Sequence, residues 1–61
     1  MNGKGIINKL KAEGWKLDRI NGSHHIMTKE GKAVPVPVHG NHDVGIGLMS
    51  TIARQTGVKL K

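Results

Sequence analysis

Apolar residues near the start of the chain recur at helical spacing. Ile6, Ile7 and Leu10 fall on one stripe within residues 4–13, which predicts an amphipathic helix. Asn2 or Gly3 can cap its start, and Gly14 stands where a left-handed residue closes a helix. The period then changes from 3.6 to two. Trp15, Leu17 and Arg19 alternate with Lys16, Asp18 and Ile20, the pattern of a strand over residues 15–20. Asn21-Gly22 is a hairpin signal, residues 23–28 are the return strand, and Lys29-Glu30-Gly31-Lys32 is a second polar turn. Residues 33–38 alternate again, with Val34, Val36 and Val38 on one face and Pro35 and Pro37 on the other parity. Both prolines lack an N–H on the same side of the strand, so this strand is predicted at a sheet edge. His39 to Asp43 reads as a loop. Residues 45–56 read as a second helix, with Ile46, Met49, Ile52 and Ala53 inward, Gly57 at its end, and Val58 and Leu60 folding the tail back onto the core.

The predicted order is helix, strand, strand, strand, helix. The economical arrangement is an α+β fold: a three-stranded antiparallel meander with both helices on one face and the other face in water. Sixty-one residues make one domain, residues 1–61. With no cysteine, neither a disulfide nor a thiolate metal site can support so small a core. No apolar run approaches the length of a membrane span, and Met1 to Gly5 has no signal-peptide character.

Charge narrows the function. Ten Lys and Arg stand against four Asp and Glu, a net charge of +6 with a pI near 10.2. The excess points to a polyanionic partner: nucleic acid, an acidic protein or an anionic surface. A P-loop, a dinucleotide fingerprint and a thiol nucleophile are all absent. The four histidines, His24, His25, His39 and His42, do not follow a recognised metal spacing. A single imidazole is enough for one chemistry: it exchanges protons near neutral pH, and RNA carries its own nucleophile in the 2′-hydroxyl. Such a ribonuclease needs a proton carrier and cations for the phosphate, and neither a metal nor a serine.

The face occupied by His24 depends on the hairpin register. A two-residue Asn21-Gly22 loop pairs Arg19 with His24 and Leu17 with Ile26, on the face that carries Trp15. A three-residue loop pairs Arg19 with His25 and Leu17 with Met27, and places His24 on the opposite face near Lys16 and Asp18. The three-residue loop is favoured because an exposed imidazole suits a large substrate. Lys4 and Lys11, seven residues apart on one flank of the first helix, are candidate phosphate contacts, as are Lys16 and Arg19; solvated flank lysines are the competing reading for the first pair.

These residues, taken in order, resemble a known family. Gly14-Trp15, Gly22-Ser23-His24-His25, Val34-Pro35-Val36-Pro37-Val38-His39, Gly45 to Ile52, and Arg54-Gln55-Thr56-Gly57 look like a HicA toxin, also called YcfA-like, from about Ile6 to Val58. The resemblance implies a fold similar to the double-stranded-RNA-binding domain. It implies the toxin of a type II toxin–antitoxin system, an endoribonuclease that cuts mRNA; the cysteine-free composition fits the reducing cytoplasm, and the 2′-hydroxyl chemistry asks for no metal or other cofactor. The resemblance places the catalytic histidine at His24, with Gly22 and Ser23 in the same motif, and makes the partner a HicB-like antitoxin that blocks the active surface. Two departures stand out. Met27 occupies a position that is often aromatic in the family, where either base stacking or core packing is at stake. The His39–Asp43 stretch lacks the lysine-rich, proline-containing form of many relatives. The alternative is a non-catalytic RNA-binding module of the same fold; a third reading is a module that binds an acidic protein. Turnover of excess RNA separates the first from the other two.

Overall fold

The computed structural model describes residues 1–60 and has the predicted order: α1 (Gly3–Ala12), β1 (Lys16–Asn21), β2 (His24–Lys29), β3 (Lys32–Pro37) and α2 (Ile46–Thr56). The sheet is an antiparallel meander in the order β1-β2-β3, so β3 is an edge strand as its prolines require.

Three of the four helix ends have a local cause. The Asn2 side chain caps α1 by accepting from the Gly5 N–H at 2.9 Å. At the other end the Gly14 N–H reaches the Lys11 carbonyl at 3.1 Å and the Trp15 N–H reaches the Leu10 carbonyl at 2.9 Å. This bond pair is a Schellman closure, and its hydrophobic contact is supplied by Leu10 and Trp15, both buried. The Lys29 ammonium donates to the Glu13 carbonyl at 2.7 Å, placing a cation at the negative end of α1. Helix α2 has no side-chain cap at Gly45 and ends where the Gly57 N–H bonds to the Ala53 carbonyl at 2.8 Å. The Thr56 hydroxyl then donates to the Ile52 carbonyl and accepts from the Val58 N–H, which turns the tail inward.

The core follows from these placements. Ile6, Ile7 and Leu10 of α1 and Met49 and Ile52 of α2 pack with Trp15, Met27, Val34, Val36, Val58 and Leu60. Met27, Val34 and Val36 all belong to the face that the helices cover. On the other parity Ala33 and Pro35 are exposed and Ile26 and Thr28 half-buried, so both helices lie on one side and the second sheet face is open. Ile46 departs from expectation: it is 65% exposed, because α2 begins there and its first turn overhangs the core.

The hairpin turns depart from the sequence reading. The first loop is Gly22-Ser23, with Asn21 inside β1 and paired with His24. Of these two residues only Gly22 lies at positive φ (62°), the pattern of a type II′ turn. The second loop is Glu30-Gly31, with φ of 51° and 83°, the type I′ pattern. Glu30 is the one non-glycine residue at positive φ among those described. Asparagine tolerates this region better, so Glu30→Asn is expected to stabilise the fold by about 1 kcal/mol. A higher urea midpoint at unchanged m-value checks it.

Candidate active site

The register of the sheet places each candidate side chain. Residues directly opposite one another share a face, and faces alternate along a strand. Met27 is fully buried beneath the helices, so His25 shares the covered face and His24, Ile26 and Thr28 belong to the open one. Reading across the sheet, the open face has three rows: Asn21, His24, Pro37; then Arg19, Ile26, Pro35; then Lys16, Thr28, Ala33. His24 is exposed at the hairpin end of the central strand.

Neither register considered from the sequence is realised throughout. Next to the turn, Asn21 pairs with His24, Ile20 with His25 and Arg19 with Ile26; beyond it, Leu17 pairs with Met27 and Lys16 with Thr28. The two halves are reconciled by a β-bulge, in which Asp18 is the extra residue between Leu17 and Arg19. Simple alternation puts Arg19 on the same face as Leu17, towards the helices. The bulge reverses that and turns Arg19 onto the open face, where it joins Lys16 and His24. The Arg19 guanidinium is paired with Asp18 at 2.9 Å in solvent, which still leaves most of its five N–H donors available to an anion.

The open face thus gathers His24, Lys16 and Arg19 from the candidates. Lys4 and Lys11 are exposed on α1, on the far side of the sheet. Gly22 supplies the left-handed residue that the tight turn needs, and nothing lies within 4 Å of a Cβ built there, so its role is conformational rather than steric. The Ser23 carbonyl accepts from the Val38 N–H at 2.8 Å and ties the turn to the end of β3. This bond makes the His24–Pro37 pair a non-hydrogen-bonded position, where Cα atoms approach to about 4.5 Å. Pro37 can occupy it because no N–H is asked of it.

His25 belongs to a different environment. It is half-buried between Ile20 and Val36 on the covered face, and its Nδ1 is buried without a hydrogen-bond partner. It thus faces away from the layer that carries His24. Met27, at the position of family variation, packs in the core and is not available to a base. Trp15 is 3% exposed, so the chain's one aromatic side chain offers no stacking surface. The Asn-Gly dipeptide assigns Asn21 to the turn, yet it is the residue directly across from His24. Counting in twos from a type II′ loop at Gly22-Ser23 would have found it.

Among the described residues no group of three or more His, Cys, Asp or Glu side chains is placed to hold a metal ion, and no helix is long and apolar enough to cross a membrane. A groove of about 570 Å³ between α2 and the tail is lined by Met49, Ala53, Val58 and Leu60, and His24 takes no part in it. The histidine instead occupies an open surface, suited to a polymer that is gripped along its length rather than enclosed.

Comparison with known proteins accords with this architecture. The family described as HicA toxin of bacterial toxin–antitoxin matches residues 3–58. A protein of Pseudomonas fluorescens (strain Pf0-1), named probable mRNA interferase HicA, is 38% identical over 50 residues, covering 82% of this chain and 83% of that protein. The match takes in both helices, all three strands and the Gly22-Ser23-His24 turn. The chain belongs to the HicA toxin family.

Proposed function

We propose that the chain is the toxin of a toxin–antitoxin pair and an endoribonuclease that cleaves mRNA in the cytoplasm, with His24 as its one catalytic side chain. The observation that carries this reading is the exposed imidazole on the same open face as Lys16 and Arg19. Family membership and the mRNA interferase relative support the activity. The 2′-hydroxyl oxygen attacks the adjacent phosphorus, and the bond from phosphorus to the 5′-oxygen breaks. The 2′-proton leaves to a base and the 5′-oxygen receives a proton, so the products carry a 2′,3′-cyclic phosphate and a 5′-hydroxyl. His24 performs one of these transfers and water the other. Arg19, one row from His24, holds the scissile phosphate and offsets its growing negative charge, and Lys16, two rows away, holds a neighbouring phosphate of the strand. Lys4 and Lys11 stand on the far layer and are left out of this assignment. A HicB-type antitoxin silences the toxin by covering the open face, where a protein with acidic groups meets two cations and the imidazole together.

One cleavage assay tests the proposal. Purified toxin incubated with excess RNA in a chelator is expected to turn over many times and leave 5′-hydroxyl ends. An equimolar amount of antitoxin stops it. Activity that disappears with chelator and returns with a divalent cation would refute metal independence. Tight RNA binding with no cleavage under any condition would favour the non-catalytic RNA-binding module.

A further inference from the structure

The open face is polar on one side and apolar on the other. Its β1 column carries Lys16, Arg19 and Asn21; its β3 column carries Ala33, Pro35 and Pro37; His24, Ile26 and Thr28 run between them. No charged side chain of β3 belongs to this face, and its prolines present hydrocarbon without a donor. Pro35 is exposed, and Ile26 and Pro37 are half-exposed beside it. Strands are spaced at about 4.8 Å, so the cationic and apolar columns lie roughly 10 Å apart. Successive rows along a strand repeat at roughly 7 Å, two residues at a time.

A single strand of RNA has the same two-sided character, with anionic phosphates along one edge and flat, largely apolar bases along the other. We propose that the toxin takes its substrate as a single strand on this open face, with phosphates along β1, bases over Ile26, Pro35 and Pro37, and the scissile phosphate at His24. The inference rests on the ribonuclease reading and specifies its substrate class. An A-form duplex fits poorly, because it turns phosphates and 2′-hydroxyls outward and keeps its bases paired inside, out of reach of the proline column. The reaction points the same way. In-line attack needs the 2′-oxygen opposite the leaving 5′-oxygen, a rotation that regular duplex geometry opposes. Because Trp15 is buried, the bases meet aliphatic rather than aromatic surface. Contact of that kind sets a base preference through shape and provides no hydrogen-bond readout. Pro37, beside His24 in its row, is the residue placed to contact the base next to the cut.

Binding of a labelled single strand to the His24→Gln protein tests the arrangement without cleavage. Lys16→Ala and Arg19→Ala are expected to reduce the slope of log K against log[salt] by about 0.7 for each phosphate no longer neutralised. Pro35→Ser and Ile26→Ser are expected to weaken binding by about fourfold for each methylene that the base no longer covers, with the slope unchanged. The same sequence annealed to its complement should bind more weakly and, with the wild-type protein, resist cleavage. Equal binding and cleavage of duplex would overturn the proposal. So would a reduced salt slope on Lys4→Ala and Lys11→Ala in place of the β1 pair, since that would put the RNA on the helix layer. Either result leaves the ribonuclease reading intact provided that wild type cleaves RNA; if wild type cleaves no RNA, that reading fails and the binding slopes still locate the nucleic acid.

Discussion

Replacing His24 by alanine is expected to lower the rate of RNA cleavage by about 10²–10⁴, the usual contribution of a positioned proton carrier, and to leave the fold and RNA binding in place. The separation is expected because the side chain is exposed on the open face. Surface substitutions of this kind usually change stability by within about 0.5 kcal/mol. His24→Gln keeps bulk and polarity without a titrating ring and should be equally inactive. His25→Ala gives the opposite signature. His25 packs half-buried between Ile20 and Val36, so its loss acts on stability and leaves the chemistry largely intact. His39 and His42 are exposed in the loop before α2, and their alanine variants should match wild type in both respects. A cleavage assay and a thermal melt on the four variants check all of this together. The pH–rate profile of the wild type adds the direction of transfer: a rate that rises to a plateau makes His24 the base, and a rate that falls from one makes it the acid. A His24→Ala protein that cleaves normally while folded would remove the imidazole from the mechanism.

Elements were legible in the sequence because their signals are local. The apolar stripe of α1, the alternation of Val34 and Val36 with Pro35 and Pro37, and the glycines after each helix specify local structure without reference to the rest of the chain. Register was not legible, because it is settled between strands. Asn21-Gly22 and Gly22-Ser23 both make acceptable tight loops, and the choice moves every later pairing. The β-bulge is a further step removed. Nothing in Leu17-Asp18-Arg19 announces an extra residue; it accommodates a II′ turn at one end of the hairpin and the burial of Met27 opposite Leu17 at the other. That one residue decides whether Arg19 belongs to the covered face or to the open face that carries His24. The motif singles out His24 without reference to register, whereas the three-residue loop that would expose it is not the loop that forms. Lys16 and Arg19 stand in the sequence alongside Lys4 and Lys11 as candidates, and only the fold shows that the first pair shares the open face with His24 while the second belongs to the helix layer.

Gly3→Ala is expected to destabilise the domain even though it places the better helix former in the first turn of a helix. Helix propensity alone favours alanine by up to about 1 kcal/mol. Gly3 is buried, however, and a Cβ built there collides with the Pro37 carbonyl oxygen and comes within 2.9 Å of Val38 Cγ2 and 3.0 Å of Val38 Cα. Two of these three atoms are backbone, so no rotamer change relieves the contact; either α1 or the end of β3 must move. Overpacking of this kind costs roughly 1–3 kcal/mol. In a domain of this size that corresponds to a fall in Tm of about 4–8 °C for each kcal/mol. The displacement also reaches the site. Pro37 is the partner of His24, and the Val38 N–H holds the Ser23 carbonyl one residue before it. Gly3→Ala should therefore lower cleavage at temperatures where the protein is still folded. Gly47→Ala is the matched control: the residue is helical, and nothing lies within 4 Å of a Cβ there. The same substitution at that position should raise Tm. Opposite shifts from the two variants would show that the approach of α1 to β3, and not helix propensity, fixes the requirement at Gly3; a rise in Tm for both would show that β3 yields, and would remove this contact from the support of His24.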